Sequence, residues 1–461
     1  MQSWLPRLDD HGGPKYAVIA TAIEEAIRDG RLRPGERLPP QRDLARTLAV
    51  DLTTVTRAYT IMREAGLIEG AGRLGSYVRN GVALSASAGA AADTGMNMPP
   101  QPGFALLADA IRTGHAVLLR AGGQSPMLQY QPDGGSLHDR LAAAAAFTAR
   151  GLETADDEVI VTAGGQNALH AILGATLARG DVICTGAYAY PGMLALAARF
   201  GLSVRALPGD AGGIDPDALA AAAGEGARAL YIVPTNDNPT TVTLDMERRR
   251  AIAEVARRHG LAIIEDDAYG LLPAAPQTPI AALAPELTWH VASTSKIISP
   301  ALRVAHVRAP TLRDAWRLAA DVHETAVMAP PLNAALVSLW LRDGTFGRLI
   351  AAVREEAVAR QRIVSRALAG LDYATHPEGY HLWLRLDAAH MPAPAELAAM
   401  LRPAGLSAVS AQAFAARPDE ASPPAVRISF GGAMDHERLR RALQRLEALL
   451  HHGHARATAL V

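Results

Sequence analysis

The chain has 461 residues, 49% of them hydrophobic and 20% charged, with a formal net charge of −1. That length exceeds one ordinary domain, the composition excludes a disordered or collagen-like chain, and no global basicity advertises nucleic acid. No apolar run reaches the roughly 18 residues of a membrane span and MQSWLPRLDD lacks the regions of an export signal, so a cytoplasmic protein is expected, while the lone Cys184 excludes an intrachain disulfide and a cysteine-rich metal site. The first predicted element is a helix over 16–29, with Val18, Ile19, Ala22, Ile23, Ala26 and Ile27 on one stripe and Gly30 at its end. A turn and a short helix follow in RLRPGERLPPQRDLARTLAV. A third helix runs from about Leu52 to Ala65, with Leu52, Val55, Tyr59 and Met62 on one face and Thr53, Arg57, Thr60 and Glu64 on the other. Two short helices joined by a tight turn, the second opening with Thr53, Thr54 and Arg57, are helix-turn-helix geometry.

LIEGAGRLGSYVRN then reads as strand, glycine turn and strand, the wing of a winged helix, with Arg73 at its tip able to reach phosphate or a minor groove. Gly70, Gly72 and Gly75 also spell GxGxxG, but a dinucleotide fingerprint must open a helix, and SYVR favours a strand. The stretch LPPQRDLARTLAVDLTTVTRAYTIMREAGLIEG…GSYV resembles the winged helix of the GntR superfamily of bacterial regulators. That resemblance implies DNA contacts at Arg42, Thr53, Thr54 and the wing glycines, and, because Leu52 stands where many members carry arginine, a base contact shifted to Arg57.

Residues 81–103 lack periodicity and carry almost no charge, so they are expected to be a flexible linker between residues 1–80 and 104–461. Beyond it, EVIVT, DVICT, LSVRAL, ARALYIV, LAIIEDD and WHVAST read as strands alternating with helices such as 166–179 and 245–258, which implies a mainly parallel sheet covered on both faces. EVIVTAGGQNALHAIL places a helix N-terminus at about Gln166, a place for phosphate. YIVPTNDNPTT leaves Asn238 at the carboxyl edge of the sheet, and LAIIEDDAYG ends a buried run in carboxylates that need a cationic partner. Of the 45 basic residues only Lys15 and Lys296 are lysines. Arginine cannot form a Schiff base, so Lys296, after a strand and three hydroxyl residues, with Arg303 further on, is equipped to hold pyridoxal 5′-phosphate.

This part of the chain, nearly all of 104–450, is similar to fold-type I, aspartate-aminotransferase-like enzymes: a mostly parallel α/β large part at about 130–310 and a smaller C-terminal α+β part at about 311–461. The resemblance implies Lys296 as the Schiff-base lysine, Asp266 on the pyridine nitrogen, Tyr269 and Asn238 on the ring hydroxyl, and Tyr190 stacked on the ring. It further implies Gly165, Gln166, Ser293 and Arg303 as a phosphate cup, Arg427 for an effector's carboxylate, and Tyr130 reaching in from a partner subunit. NPTT replaces the family's NPTG, which leaves the turn after Asn238 open. His323-Glu324 lacks the second histidine of HExxH, and HHGHA reads as a frayed terminus, so no metal is expected.

Both modules together resemble the MocR-type regulators. That implies a homodimer on double-stranded operator DNA whose pyridoxal phosphate site senses an amine, an amino acid or the cofactor itself. A working aminotransferase with an attached DNA-binding head shares every one of these residues. Effector, operator and the sign of regulation are not written in the sequence.

Overall fold

The computed structural model describes residues 14–28, 30–33, 35–64, 67–70, 75–78, 95–101, 104–120, 126–387, 391–417 and 423–458. The chain divides into two compact units, Met1–Ala92 and Asp93–Val461. In the first, α1 (Lys15–Arg28), α2 (Gln41–Thr47) and α3 (Leu52–Glu64) are followed by β1 (Ile68–Gly70) and β2 (Ser76–Val78). Ile19, Ile23 and Ala26 share a core with Leu44, Val55, Tyr59, Met62 and Val78. Leu52 departs from the expected face: it is 39% exposed, and Ala58 is fully buried instead. Helical side chains lean toward the N-terminus, so the first residue of α3 projects past the helix end, while a small residue in mid-helix lets α1 pack closely. β1 and β2 pair antiparallel from Ile68↔Val78 to Gly70↔Ser76, and Arg37 bridges to Tyr77 as a third edge. The glycine motif therefore flanks a hairpin, as expected of a wing; Gly72 and Arg73 lie outside the described residues.

The second unit begins earlier than the sequence reading placed it. Residues 95–101, expected in the linker, belong to it: Asn97 is 2% exposed and Pro100 bridges to Gly432. Helices α4 (Phe104–Arg120) and α5 (Leu137–Thr148) lead into β3 (Val159–Thr162), α6 (Gly165–Thr176), β4 (Val182–Thr185), α7 (Pro191–Phe200) and β5 (Ser203–Ala206). A small hairpin, β6 (Gly209–Asp210) and β7 (Gly213–Ile214), precedes α8 (Pro216–Gly224), β8 (Ala229–Ile232), α9 (Met246–His259), β9 (Ala262–Asp266), α10 (Ile280–Leu283), β10 (Thr288–Ser293) and β11 (Ala305–Arg308). The seven-stranded sheet has the order β3-β11-β10-β9-β8-β4-β5. β5, β4, β8, β9 and β10 run parallel, and β11 is antiparallel to both its neighbours. Buried on both faces, such strands read as unbroken apolar runs, as in Val159–Thr162 and Ala229–Ile232.

The rest is α11 (Leu312–Ala326), α12 (Pro331–Asp343), α13 (Thr345–Ala367), β12 (Tyr373–Thr375), β13 (His381–Arg385), α14 (Pro394–Leu401), β14 (Ser407–Ser410), β15 (Ala425–Ser429) and α15 (His436–Thr458). Its four-stranded antiparallel sheet, β12-β13-β15-β14, shares one continuous apolar core with the large sheet. Two features position the site. Parallel pairing puts the ends of β8, β9 and β10 at one sheet edge, with Val291 opposite Asp266 and Ile232 opposite Glu265. The fully buried Arg249 on α9 then donates to the oxygens of Leu244, Pro234, Thr235 and Thr278, pinning both ends of the loop that holds Asn238.

Candidate functional site

Lys296 follows β10 just past the carboxyl edge of the sheet. Burial first, then the Arg427 guanidinium, lowers its ammonium from 10.5 to about 8, with Arg303 acting in the same sense and Asp266 opposing. Asp266 ends β9 and accepts a hydrogen bond from Tyr231 at 2.8 Å. Burial raises its carboxyl to about 6 against the effect of that bond. A carboxylate this buried, with Lys296 close enough to act on it, is placed to receive a cationic ring nitrogen. Tyr269 lies on the same turn, its hydroxyl pushed above its usual range by burial. Asn238 has its Oδ1 buried without a hydrogen-bond partner.

The turn after Asn238 is resolved by geometry. Thr241, where the family pattern has glycine, sits at φ +66 and donates its N–H to Asp237 O at 2.7 Å. A left-handed β-branched residue is strained, and the loop tolerates it because Arg249 clamps both ends.

At the neighbouring edge, α6 opens at Gly165 with Gly164 as a cap lacking a side chain, so first-turn N–H groups point outward. A Cβ at Gly164 would stand 3.0 Å from the Arg303 guanidinium, and one at Gly165 3.6 Å from Ser293. Ser293 and Ser295 hydroxyls are 3.1 Å apart. Tyr190 caps α7, and a Cβ at Gly192 would fall 2.4 Å from its ring and 2.6 Å from Gln166 Oε1, which is itself buried without a partner. These glycines leave backbone N–H groups, hydroxyls and one guanidinium, all donors that suit a phosphate, gathered at the α6 N-terminus. The unpartnered Asn238 Oδ1, able to accept from the ring hydroxyl, and this set of phosphate donors fit pyridoxal 5′-phosphate.

Arg427 lies in β15 between Trp383 and Val409, 1% exposed, with Phe414 5.7 Å from its guanidinium carbon. The structure thus brings Lys296, Asp266, Tyr269, Arg303 and Arg427 together, with Tyr190 close enough to feel Asp266 and Arg303. Tyr130 is not part of the cluster among the described residues; it is 83% exposed. Several residues at the site carried no motif: Tyr231, which holds Asp266; Asn97, which meets Lys296 and Tyr269; Ser429 and His381, which hold Asn97. A tyrosine in an apolar strand and an asparagine in a stretch of linker composition look like neither catalysis nor binding.

In the first unit Arg42, at the start of α2, and Thr53 and Arg57 on α3 are exposed. Thr53 is partly committed: its N–H and hydroxyl both donate to Asp51, which caps α3. Arg57 packs its guanidinium 4.1 Å over the ring of Tyr16 on α1, and Thr56 donates to Gln41 across the turn. Among the described residues no cluster of His, Cys, Asp or Glu is built to hold a metal, and no helix is long and apolar enough to cross a membrane.

The family model of class I and II aminotransferases matches residues 102–446, and that of the bacterial gntR regulatory proteins matches residues 15–78. The chain belongs to the class I and II aminotransferase family. With the GntR domain in front, it has the MocR-type architecture, a transcriptional regulator joining a DNA-binding domain to an aminotransferase-like one. An HTH-type transcriptional regulator of Bacillus subtilis (strain 168), YdeF, is 29% identical over 460 residues, 97% of each chain. PtsJ, a vitamin B6 salvage pathway transcriptional repressor of Salmonella typhimurium, is 29% identical over 80% of this chain and 85% of its own. Among solved structures, LysN, the α-aminoadipate aminotransferase of Thermus thermophilus, superposes with a TM-score of 0.68 at 24% identity, over 80% of this chain and 94% of that one. The cofactor of this fold is pyridoxal 5′-phosphate.

Proposed function

We propose that this MocR-type protein binds operator DNA through its winged helix and senses pyridoxal 5′-phosphate, or an amine or amino acid meeting it, at Lys296. The observation that carries this reading is a half-buried lysine, next to Asp266, Arg303 and Arg427, in a chain that also carries a DNA-binding head. When bound, pyridoxal 5′-phosphate supplies an aldehyde that captures primary amines and a ring that withdraws electrons. Lys296 is the amine that would hold it, and Asp266, fixed by Tyr231, would face the ring nitrogen. Asn238 and Tyr269 would meet the ring hydroxyl, and Tyr190 would cover the ring. The α6 N-terminus at Gly165 and Gln166, with Ser293 and Arg303, would carry the phosphate. Arg427 would take a carboxylate, and Tyr130 of a partner subunit would close the site in a homodimer.

On the DNA side, Arg42, Thr54 and Arg57 present side chains to the major groove, with Thr53 acting through its free lone pairs and Arg73 serving the wing. The vitamin B6 salvage repressor among the relatives supports the cofactor itself as signal. The same Lys296, lowered to about 8, would also serve proton transfer, which favours a working aminotransferase as the second reading. The test titrates the full chain with pyridoxal 5′-phosphate and then with amines, following cofactor absorbance and binding to a duplex selected by the chain from random sequence. A regulator changes both signals with the same ligand. A spectral change that leaves DNA affinity untouched would reject sensing.

A further inference from the structure

The segment 95–101 crosses the site, and its backbone oxygens are held by the two cations that a ligand needs. Lys296 Nζ donates to Asn97 O at 2.7 Å, and Arg427 Nη2 donates to Gly95 O. The Asn97 side chain is used at every position. Its Nδ2 donates to Tyr269 Oη at 2.9 Å and to His381 Nδ1 at 3.0 Å, while its Oδ1 accepts from Ser429 at 2.6 Å. The tautomer of His381 follows: Nε2, 3.1 Å from Asp237 O, must carry the proton, so Nδ1 is the acceptor. That ties the segment to the Asn238 loop.

The other end is docked by backbone. Gly432 N donates to Pro99 O at 3.1 Å and Gln101 N to Gly432 O at 3.3 Å, and a Cβ at Gly431 would stand 1.7 Å from Met98 O. Arg360 braces that loop through the oxygens of Phe430, Gly431 and Met434. The segment is thus bonded at once to Lys296, Tyr269 and Arg427, and the chain toward the DNA-binding unit continues from Gly95.

We propose that residues 95–101 are a strap that gates the site for α-amino carboxylates. A ligand's carboxylate replaces Gly95 O on Arg427, and capture of the aldehyde removes Lys296 from Asn97 O. Either loss weakens the lock around Asn97, so occupancy is transmitted along the chain to the DNA-binding unit. This rests on the reading of Lys296 and Arg427 given above, and goes beyond it in naming the element that reports their occupancy.

The experiment uses the full chain with pyridoxal 5′-phosphate and L-alanine as the probe. Amide hydrogen exchange is followed in a peptide covering 95–101 and at Gly432, whose N–H holds Pro99. Exchange of both is expected to speed up at least about 5-fold once both ligands are present, the lower end of ordinary coupling between sites. Asn97→Ala and Gly431→Ala should show fast exchange without ligand, and L-alanine should change their affinity for the selected duplex less than about 2-fold, against about 5-fold or more in the unaltered chain. Two variants are used because either alone can fail through misfolding, and cofactor absorbance reports whether the site is intact. A cofactor band that forms while strap exchange stays constant overturns the strap and leaves the sensing site standing. Absence of the band overturns both.

Discussion

A lysine held neutral more easily than usual is useful only where its free amine must attack. With its ammonium lowered to about 8 by burial and Arg427, Lys296 has roughly a tenth of its population deprotonated at pH 7. The rate of cofactor capture is therefore expected to rise with pH through a midpoint near 8, since the neutral amine is the reactive form. Stopped-flow absorbance over pH 6 to 10 checks it, and a midpoint near the 10.5 of an ordinary lysine would reject the burial argument. Lys296→Ala and Lys296→Arg should both lose borohydride-reducible attachment while remaining folded, because a guanidinium keeps the charge and forms no imine. Thr241 makes the opposite kind of test. Relieving a left-handed threonine at φ +66 returns about 1–3 kcal/mol, and glycine costs about 0.5–1 kcal/mol in unfolded-state freedom, so Thr241→Gly should stabilise the second unit by about 1 kcal/mol in denaturant unfolding. A net loss would mean that the buried threonine methyl packs better than its backbone suffers.

At the scale of elements, α2 and α3 share surface between reading DNA and holding the head together. Arg42→Ala should weaken duplex binding by about 1–3 kcal/mol, the worth of one base contact, with cofactor absorbance unchanged. Arg57→Ala should do the same and also lower the melting point of the first unit, because its guanidinium covers Tyr16 and such a contact is worth about 0.5–1 kcal/mol at an exposed site. Equal melting of the two variants, measured on the isolated head and the full chain, would refute that double role. Helices and parallel strands were legible because each repeats one kind of environment: α1 shows its stripe, Val159–Thr162 and Ala229–Ile232 are buried throughout, and Ala262–Asp266 is an apolar run that ends in two buried carboxylates. β11 was not foreseen, because Ala305–Arg308 carries a histidine and an arginine whose burial depends on neighbours far along the chain. The strap was misread as linker for a related reason. Its hold on the site comes from backbone oxygens and one asparagine, and composition reports neither. Lysine scarcity and ordered motifs single out Lys296, Asp266 and Arg427, which the structure brings together, whereas Tyr231, His381 and Ser429 serve by position alone.

For the whole molecule, the question is what a site so complete does in a chain that also binds DNA. Transamination requires the freed lysine to move a proton from the substrate's α-carbon and then requires product to leave so that a keto acid completes the cycle. Sensing requires only that a captured amine be held while the strap and the head respond, and rapid release would erase the signal. The two demands conflict at the same lysine. Multiple-turnover transamination is therefore expected to stay well below the roughly 1–10³ s⁻¹ of ordinary enzymes, while the ligand that changes the cofactor spectrum shifts duplex affinity by about 5-fold or more. Turnover with amino acid and keto acid pairs should be measured beside the DNA titration on one preparation. Fast cycling with constant DNA affinity would make the head a passenger on an enzyme, whereas a slow, tightly held ligand that moves DNA affinity makes the retained site an instrument of regulation.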